Sequence, residues 1–527
     1  MKQQRIQHIV ILGGGSAGWL TAGLLAAEHG QAGGGDGADE SGIQVTVIES
    51  PDIPIIGVGE GTWPSMRSTL QKIGLSETAL FKDCDAAFKQ GAKFARWVNG
   101  ERDDYYYHPL LLPHGFYDTD VVSPWLVQTQ HRNSFASTVC CQPHICEQGL
   151  APKQISTPEY ASVANYAYHL DAVKMGKTLQ QHCTTVLGVK HILGTVIEVR
   201  ADDNGDIAAL ITREHGEITG DLFVDCSGMR SLLLGEHFKV GYESKQQVLF
   251  NDSAIAVQIP YPNESAPIAS HTIATAHQAG WIWDIGLPTR KGIGIVYASD
   301  YMDKDKATDT LLEYAAESIG ADAAQGLQPR HIPINPGHRS TFWKNNCVAI
   351  GLSAGFLEPL EASALVLVES AAGMLSENLP TSREVMPLAA KRFNERMHYY
   401  WETIIDFLKL HYVLSQRDDS QYWLDHRTAA TASESLNESL ALWRTQIPNR
   451  YDFPLSQEMF PAASWHYVLY GMGFRTEFNG HTPKPKIIAK ARELAEENRR
   501  MTAQYLAALP NNRELVNKIH QYGMQKV

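Results

Sequence analysis

Residues 8–12, apolar from Ile9 onward, run into Gly13-Gly14-Gly15, the pattern of a short buried parallel strand stopped by a glycine turn. Residues 19–28 then read as a helix. Residues 31–42, rich in Gly and Asp without apolar periodicity, are expected to form a surface loop. A second apolar strand follows at 45–48 and ends at Glu49. The order strand, helix, strand is the start of a βαβ unit with an enlarged helix-to-strand connection. From 51 to 180 the pattern is loop-rich, with clustered aromatics and prolines. A helical stretch there would put Lys89 and Lys93 on one face beside Phe88, Phe94 and Trp97.

Strand signals return at 187–200, 208–212, 222–224, 254–259, 292–297 and 347–350. Trp281-Ile282-Trp283 places two indoles on the same side of an extended segment, a pairing most often found in a core. After residue 380 the spacing turns helical: Phe393, Met397, Tyr400, Trp401, Ile404, Ile405 and Leu408 recur every three or four positions. Apolar positions within 485–509 do the same. The expected organisation is an α/β module over 1–375, with inserted loop-rich and β segments, and a mainly helical module over 376–527.

The chain's 527 residues suit about two to three domains, or one large domain with an appended module. Hydrophobic residues at 44% and charged ones at 20% are those of a globular protein. Lys and Arg number 45 against 58 Asp and Glu, a net charge of −13 with no offsetting basic run, which excludes a dedicated nucleic-acid binder. Seven cysteines (Cys84, Cys140, Cys141, Cys146, Cys183, Cys226, Cys347) are few and odd in number, as in a reducing compartment. Residues 9–27 carry no charge and follow Lys2 and Arg5, but five glycines break up what would otherwise pass for an export signal. No other window is long and apolar enough to span a membrane, so a cytoplasmic protein without a membrane partner is expected.

Gly13-Gly14-Gly15-Ser16-Ala17-Gly18 is a G-x-G-x-x-G between strand and helix. Such glycines let backbone approach a pyrophosphate, and the helix N-terminus offers amide donors. Glu49 stands where a ribose hydroxyl would be bound, although its distance from Gly18 exceeds the usual gap of about twenty residues because of the 31–42 insertion. The competing reading is a purely structural glycine turn. With no second such motif downstream, a flavin reduced by another protein fits better than a two-nucleotide reductase. Gly351-Leu352-Ser353-Ala354-Gly355 matches a G-x-S-x-G nucleophile elbow, and Asp406 and His411 follow in hydrolase order. Cys141, His144 and Cys146 fit no zinc spacing, so no metal is expected. Lys89 or Lys93, desolvated among aromatics, would be a lysine of lowered basicity, against the ordinary reading of a solvated one. Glu358 and Glu361 flank Pro359-Leu360 at an expected helix start.

Taken together, these blocks resemble the flavin-dependent tryptophan halogenase family over nearly the whole chain. Gly13 through Gly18 and Trp19 look like its opening. Pro54-Ile55-Ile56-Gly57-Val58-Gly59-Glu60-Gly61-Thr62 looks like its flavin-contacting strap, and Ala87-Phe88-Lys89 is similar to the segment bearing its essential lysine. Asp225-Cys226-Ser227-Gly228-Met229-Arg230, the segment from Gly351 to Glu361, and Asp406 through Asp419 match later blocks. The resemblance removes the elbow role from Ser353. It implies a Rossmann-like FAD-binding module of the hydroxylase (GR2) type with mixed sheets, and a helical C-terminal module completing the substrate side.

It also implies an activity. Reduced FAD from a separate NAD(P)H-dependent reductase, with O₂, turns chloride or bromide into hypohalous acid, which Lys89 presents to a small electron-rich aromatic. Glu361 matches the family carboxylate that assists there, and the amides of Ser363 and Ala364 match its halide site. Ala17, Ser50, Val58, Gly61, Val196, Leu352 and Leu365 match flavin-contact positions, and His108 matches a residue of the substrate pocket. Trp281-Ile282-Trp283-Asp284-Ile285-Gly286 keeps five positions of a W-x-W-x-I-P block that separates organic substrates from the flavin. Around 451–470 the paired tyrosines and carboxylate that clamp free tryptophan are missing, so a different indole, pyrrole or phenol is expected. An aromatic hydroxylase on the same fold is the nearest rival, but Gly351-Leu352 lacks the acid that hydroxylases place there. A flavin-binding protein without chemistry is a further alternative. A homodimer is a candidate assembly.

Overall fold

The computed structural model describes residues 5–30, 42–52, 59–127, 134–477 and 483–526. The chain forms two compact units, each assembled from three segments. The first comprises Met1–Ala86, Leu170–Lys245 and Asn335–Trp401; the second comprises Ala87–His169, Gln246–Ile334 and Glu402–Val527.

The first unit is built on a six-stranded sheet in the order Trp343–Lys344, Cys347–Ala349, Leu222–Asp225, His8–Leu12, Gln44–Glu49, Lys190–Leu193. All neighbours are parallel except the first pair. His8–Leu12 lies at the centre, and Ile9, Val10 and Ile11 are fully buried, as a strand covered on both faces requires. Helix Ser16–His29 follows the glycine turn and packs on Ala172–Thr185 and Ser363–Glu377. The βαβ reading of the N-terminus is therefore met, while the expected 31–42 loop falls, but for Gly42, outside the described residues.

The second unit holds a seven-stranded sheet in the order Arg330–Pro333, Ser253–Pro260, Arg290–Tyr297, Gly280–Gly286, Thr272–His277, Gly91–Ala95, Tyr105–Pro109. Its neighbours run antiparallel except at the Thr272–His277 and Gly91–Ala95 junction. Trp281 and Trp283 lie on one face of their strand with ring centroids 6.3 Å apart, both buried. Trp283 sits over Gly294, where an added Cβ would fall 2.1 Å from the ring. The same unit carries helices Ala462–Gly471, Pro485–Ala508 and Asn512–Tyr522. Among the described residues no helix is long and apolar enough to cross a membrane.

The stretch from 51 to 180 is more ordered than its composition implies. It contains helices Ser65–Ile73, Glu77–Asp83 and Ala172–Thr185, and strands Ala87–Lys89, Gly91–Ala95 and Tyr105–Pro109. The helix expected around Lys89 and Lys93 is not formed. The two lysines belong to separate strands that pair with different partners. Gly91 permits the second pairing, since a Cβ there would meet the His108 carbonyl oxygen at 2.8 Å.

Candidate functional site

In the first unit the three motif glycines do three different things. Gly13 has φ +121°, and an added Cβ would lie 2.1 Å from the Cys226 carbonyl oxygen, so it makes the tight turn. Gly18 is pressed against the turn, its absent Cβ only 1.9 Å from the Gly13 carbonyl oxygen. Gly15 has open space where its Cβ would be, and it begins helix Ser16–His29 without a side-chain cap. Close packing at the first and third positions with clearance at the second is the arrangement a pyrophosphate needs, and the uncapped amides supply its donors. The residues present therefore fit a dinucleotide such as FAD.

Glu49 ends its strand beside this turn. Its carboxylate is where a Gly14 Cβ would be, at 2.3 Å, and it accepts from His191 Nε2 at 3.1 Å. Ser50 shares a hydroxyl contact of 3.3 Å with Thr195, next to Val196. Ala17 touches the later loop, since a Cβ on Gly351, at φ +79°, would lie 2.7 Å from the Ala17 Cβ. That brings Ala17 and Leu352 into one neighbourhood. Gly61 is buried at the end of strand Gly59–Gly61, whereas Val58 lies outside the described residues.

The two later blocks are tied to each other through Asp225. Its buried carboxylate accepts from the amides of Leu233 (2.9 Å) and Leu234 (2.8 Å) and from Ser227. Ser353 is 1% exposed, and its hydroxyl is committed to the carbonyls of Asp225 and Ile350. A nucleophile elbow needs an exposed hydroxyl near a base. Asp406 instead accepts from Ser433 and Ser435 at 2.5 Å each, and His411 Nδ1 bonds the Tyr106 hydroxyl at 2.5 Å. The hydrolase pattern is thus a coincidence of spelling.

Glu361 and Ala362 both adopt left-handed backbone, with φ of 64° and 56°. Two such non-glycine residues in succession cost on the order of 1–3 kcal/mol each, and strain of this kind concentrates at functional turns. Trp63 Nε1 donates to the Glu361 carbonyl at 2.8 Å and braces the turn. Helix Ser363–Glu377 starts immediately after it with no side-chain cap, so the amides of Ser363 and Ala364 open the helix, and Leu365 is buried in its first turn. First-turn amides have no partner within their own helix, and they carry the positive end of its dipole.

One turn further on, Glu369 is 6% exposed and accepts from the Thr69 hydroxyl at 2.7 Å and the Ser65 hydroxyl at 3.3 Å. Burial pushes its carboxyl from an ordinary 4.5 up to about 7. The folded state therefore holds a proton that the unfolded state releases, so stability falls as pH rises from 4.5 to 7 and stays reduced above that. The loss at full ionisation is about 3 kcal/mol. Glu369→Gln should remove this slope: denaturant unfolding at pH 5 and pH 8 should show the variant gaining on the parent at pH 8. An unchanged pH dependence would refute the assignment.

In the second unit Lys89 is 3% exposed on strand Ala87–Lys89, which pairs antiparallel with Ala167–Asp171. On the other side of the strand, Phe88 packs edge-on to Tyr166 at 5.1 Å. Lys93, by contrast, reaches Glu147 at 2.6 Å near the surface. His108 is 7% exposed, with Phe407, Tyr467 and Phe460 around it at ring distances of 5.7, 6.1 and 6.3 Å.

Two buried histidines near Lys89 were not singled out from the sequence. His169 is fully buried, and burial together with the Lys89 charge holds its basicity well below the ordinary range. Burial lowers His271 to about 4. The signal available was Tyr168-His169-Leu170, a polar residue inside an apolar strand. Buried Lys153 was also missed; its ammonium reaches the carbonyls of Pro158 and Ala161 at 3.2 Å and the Tyr166 hydroxyl at 3.0 Å. Tyr467 and Tyr470 use their hydroxyls on Leu111 and Thr476, and Tyr451 is 80% exposed.

Known proteins resemble this chain over nearly its whole length. The family profile described as tryptophan halogenase matches residues 8–484. A 7-chloro-L-tryptophan 6-halogenase of Kutzneria sp. (strain 744) is 34% identical over 487 residues, 88% of this chain and 90% of the relative. A tryptophan halogenase structure from Shewanella frigidimarina NCIMB 400 superposes with TM-score 0.95 at 49% identity, covering 100% of each chain. A flavin-dependent halogenase of Brevundimonas sp. BAL3 gives TM-score 0.83 at 30% identity, with 98% of this chain and 99% of that one covered.

Proposed function

This chain belongs to the tryptophan halogenase family, and from that premise we propose that it halogenates an electron-rich aromatic ring through hypohalous acid held by Lys89. When bound, FAD reduced by a separate NAD(P)H-dependent reductase supplies, with O₂, the oxidising equivalents that convert chloride or bromide to hypohalous acid. Gly13, Gly14, Gly15, Ser16, Ala17 and Gly18 hold its pyrophosphate, and Glu49 its ribose. Ser50, Gly61, Val196, Leu352 and Leu365 line the remaining cofactor surface. The amides of Ser363 and Ala364 hold the halide, an anion at an uncapped helix start.

Lys89 hydrogen-bonds the hypohalous oxygen or carries the halogen as a haloamine. An ammonium polarises the departing oxygen, which is electrostatic catalysis where water is excluded. Glu361 takes the ring proton or orients the electrophile. His108, Trp281 and Trp283 line the path of the aromatic substrate. The single observation that carries the reading is the 3% exposure of Lys89, a cation withdrawn from water beside buried histidines. A cytoplasmic location is part of the same proposal, supported by seven free cysteines.

The substrate proposed is a simple or larger indole, pyrrole or phenol in place of free tryptophan. Its support is that Tyr467 and Tyr470 are engaged within the fold and Tyr451 faces solvent, leaving no tyrosine pair around 451–470 for an amino-acid clamp. The test mixes protein, FAD, a flavin reductase, NADH, O₂ and bromide with indoles, pyrroles, phenols and tryptophan. Mass spectrometry should find the bromine isotope doublet on simple indoles and not on tryptophan. Preferential bromination of tryptophan would overturn the substrate reading, and oxygenated products without bromine would favour a hydroxylase.

A further inference from the structure

We propose that His169 is the proton-transfer partner of Lys89, taking a proton from its ammonium and returning it within each turnover. This rests on the reading of Lys89 given above. Ala87 pairs with His169 and Lys89 with Ala167 across an antiparallel ladder. Lys89 and His169 are therefore diagonal neighbours on one face, about 7–8 Å apart between backbones and within reach of a lysine side chain. Thr272 Oγ1 fixes His169 Nε2 at 2.8 Å, and Nδ1 is buried without a protein partner. One ring nitrogen is anchored and the other is available; because burial and the Lys89 charge hold the ring well below its ordinary basicity, a proton taken from Lys89 is held only in passing and is readily returned.

The surroundings supply an outlet. Gln90 Oε1, Ser270 Oγ, His271 Nδ1 and Asn512 Oδ1 are likewise buried without protein partners. They belong to the same neighbourhood, since the Gln90 amide bonds the Ser270 carbonyl at 2.6 Å and Asn512 donates to the Phe88 carbonyl at 3.4 Å. So many unmatched polar atoms in one seam call for ordered water. The Tyr107 hydroxyl lies 3.5 Å from His271 Nε2 and donates to Glu147 at 2.7 Å, and the Glu147 carboxylate, also bonded by Lys93, is 41% exposed. The seam thus ends at solvent.

The step balances. An N–H bond of the Lys89 ammonium breaks and one forms on His169, leaving a neutral amine. The amine attacks the halogen of hypohalous acid; N–X forms, O–X breaks, and an amine proton leaves with the hydroxide as water. When the ring takes the halogen, C–X forms, N–X breaks and the His169 proton returns to nitrogen. The proton then released by the halogenated ring restores the ammonium. No other oxidant is required.

His169→Asn can keep a bond to Thr272 but cannot accept a proton. In the full-length enzyme it should slow halogenation about 10–100-fold, with FAD affinity and melting temperature unchanged. Hypochlorous acid added directly to the protein should also form the Lys89 haloamine more slowly, read by rapid quench and iodide titration against Lys89→Met. His169→Gly should recover about tenfold on adding imidazole. An Asn variant within about threefold of the parent rate, or a Gly variant deaf to imidazole, overturns the proposal. If His169→Asn does not fold, Thr272→Val decides, because it frees the ring's anchor; an unchanged rate then refutes the role. Normal halogenation by Lys89→Met would defeat the Lys89 reading itself, a distinct failure.

Discussion

Lys89→Met is expected to lose aromatic halogenation on the order of 1,000-fold while still binding FAD. Methionine matches the length of the lysine stem, so the change removes the cation with little change in packed volume. The parent lysine is 3% exposed, and burying a charge is costly even when it is bonded. The variant should therefore melt at or above the parent temperature. Loss of activity with no loss of stability separates a chemical role from a structural one. Oxidation of NADH by the reductase should continue, and hypohalous acid should appear in solution, where a chlorination trap reads it. Product formation near the parent rate, with flavin bound, would refute the role of Lys89.

Gly15→Val and Gly18→Val are expected to fail in different ways. At Gly15 an added Cβ meets nothing within 4 Å, and φ of −78° suits valine. The cost to the fold should stay near 1 kcal/mol, that of an altered helix N-cap. FAD affinity should fall about 100-fold or more, because the branched side chain would stand where the pyrophosphate must approach the backbone. At Gly18 the added Cβ would sit 1.9 Å from the Gly13 carbonyl oxygen, so the turn itself must move. That variant should lose FAD binding and also unfold earlier, by about 2 kcal/mol or more. Flavin fluorescence titration with thermal melting distinguishes the two. Retained FAD affinity in Gly15→Val would mean that the cofactor does not approach that amide.

Much of this was written in local sequence. A run of four apolar residues after His8, stopped by three glycines, reads as a buried strand, and it lies inside its sheet. Three/four spacing from Phe393 to Leu408 lies within the Met386–Val413 helix, because side-chain period and helix period are the same quantity. The W-x-W spacing put both indoles on one face for the equivalent reason in a strand. Around Lys89 the same reasoning failed. Apolar and polar residues from 87 to 97 satisfy a helical period as well as two short strands, and the choice fell to strand partners, Ala167–Asp171 and Tyr105–Pro109, which sequence spacing does not reveal.

What the sequence determined by itself was the family and the glycine turn between strand and helix, since each rests on residues adjacent in the chain whose pattern requires that adjacency. Tertiary structure alone decided that the Ser353 hydroxyl is spent on the Asp225 and Ile350 carbonyls, that Glu361 and Ala362 form a strained turn before an uncapped helix, and that His169 shares a face with Lys89. It also decided which three segments make each unit. The reason is common to all of these: burial, backbone strain and partner identity arise from contacts between residues far apart in the chain, and a linear pattern carries periodicity but not partners.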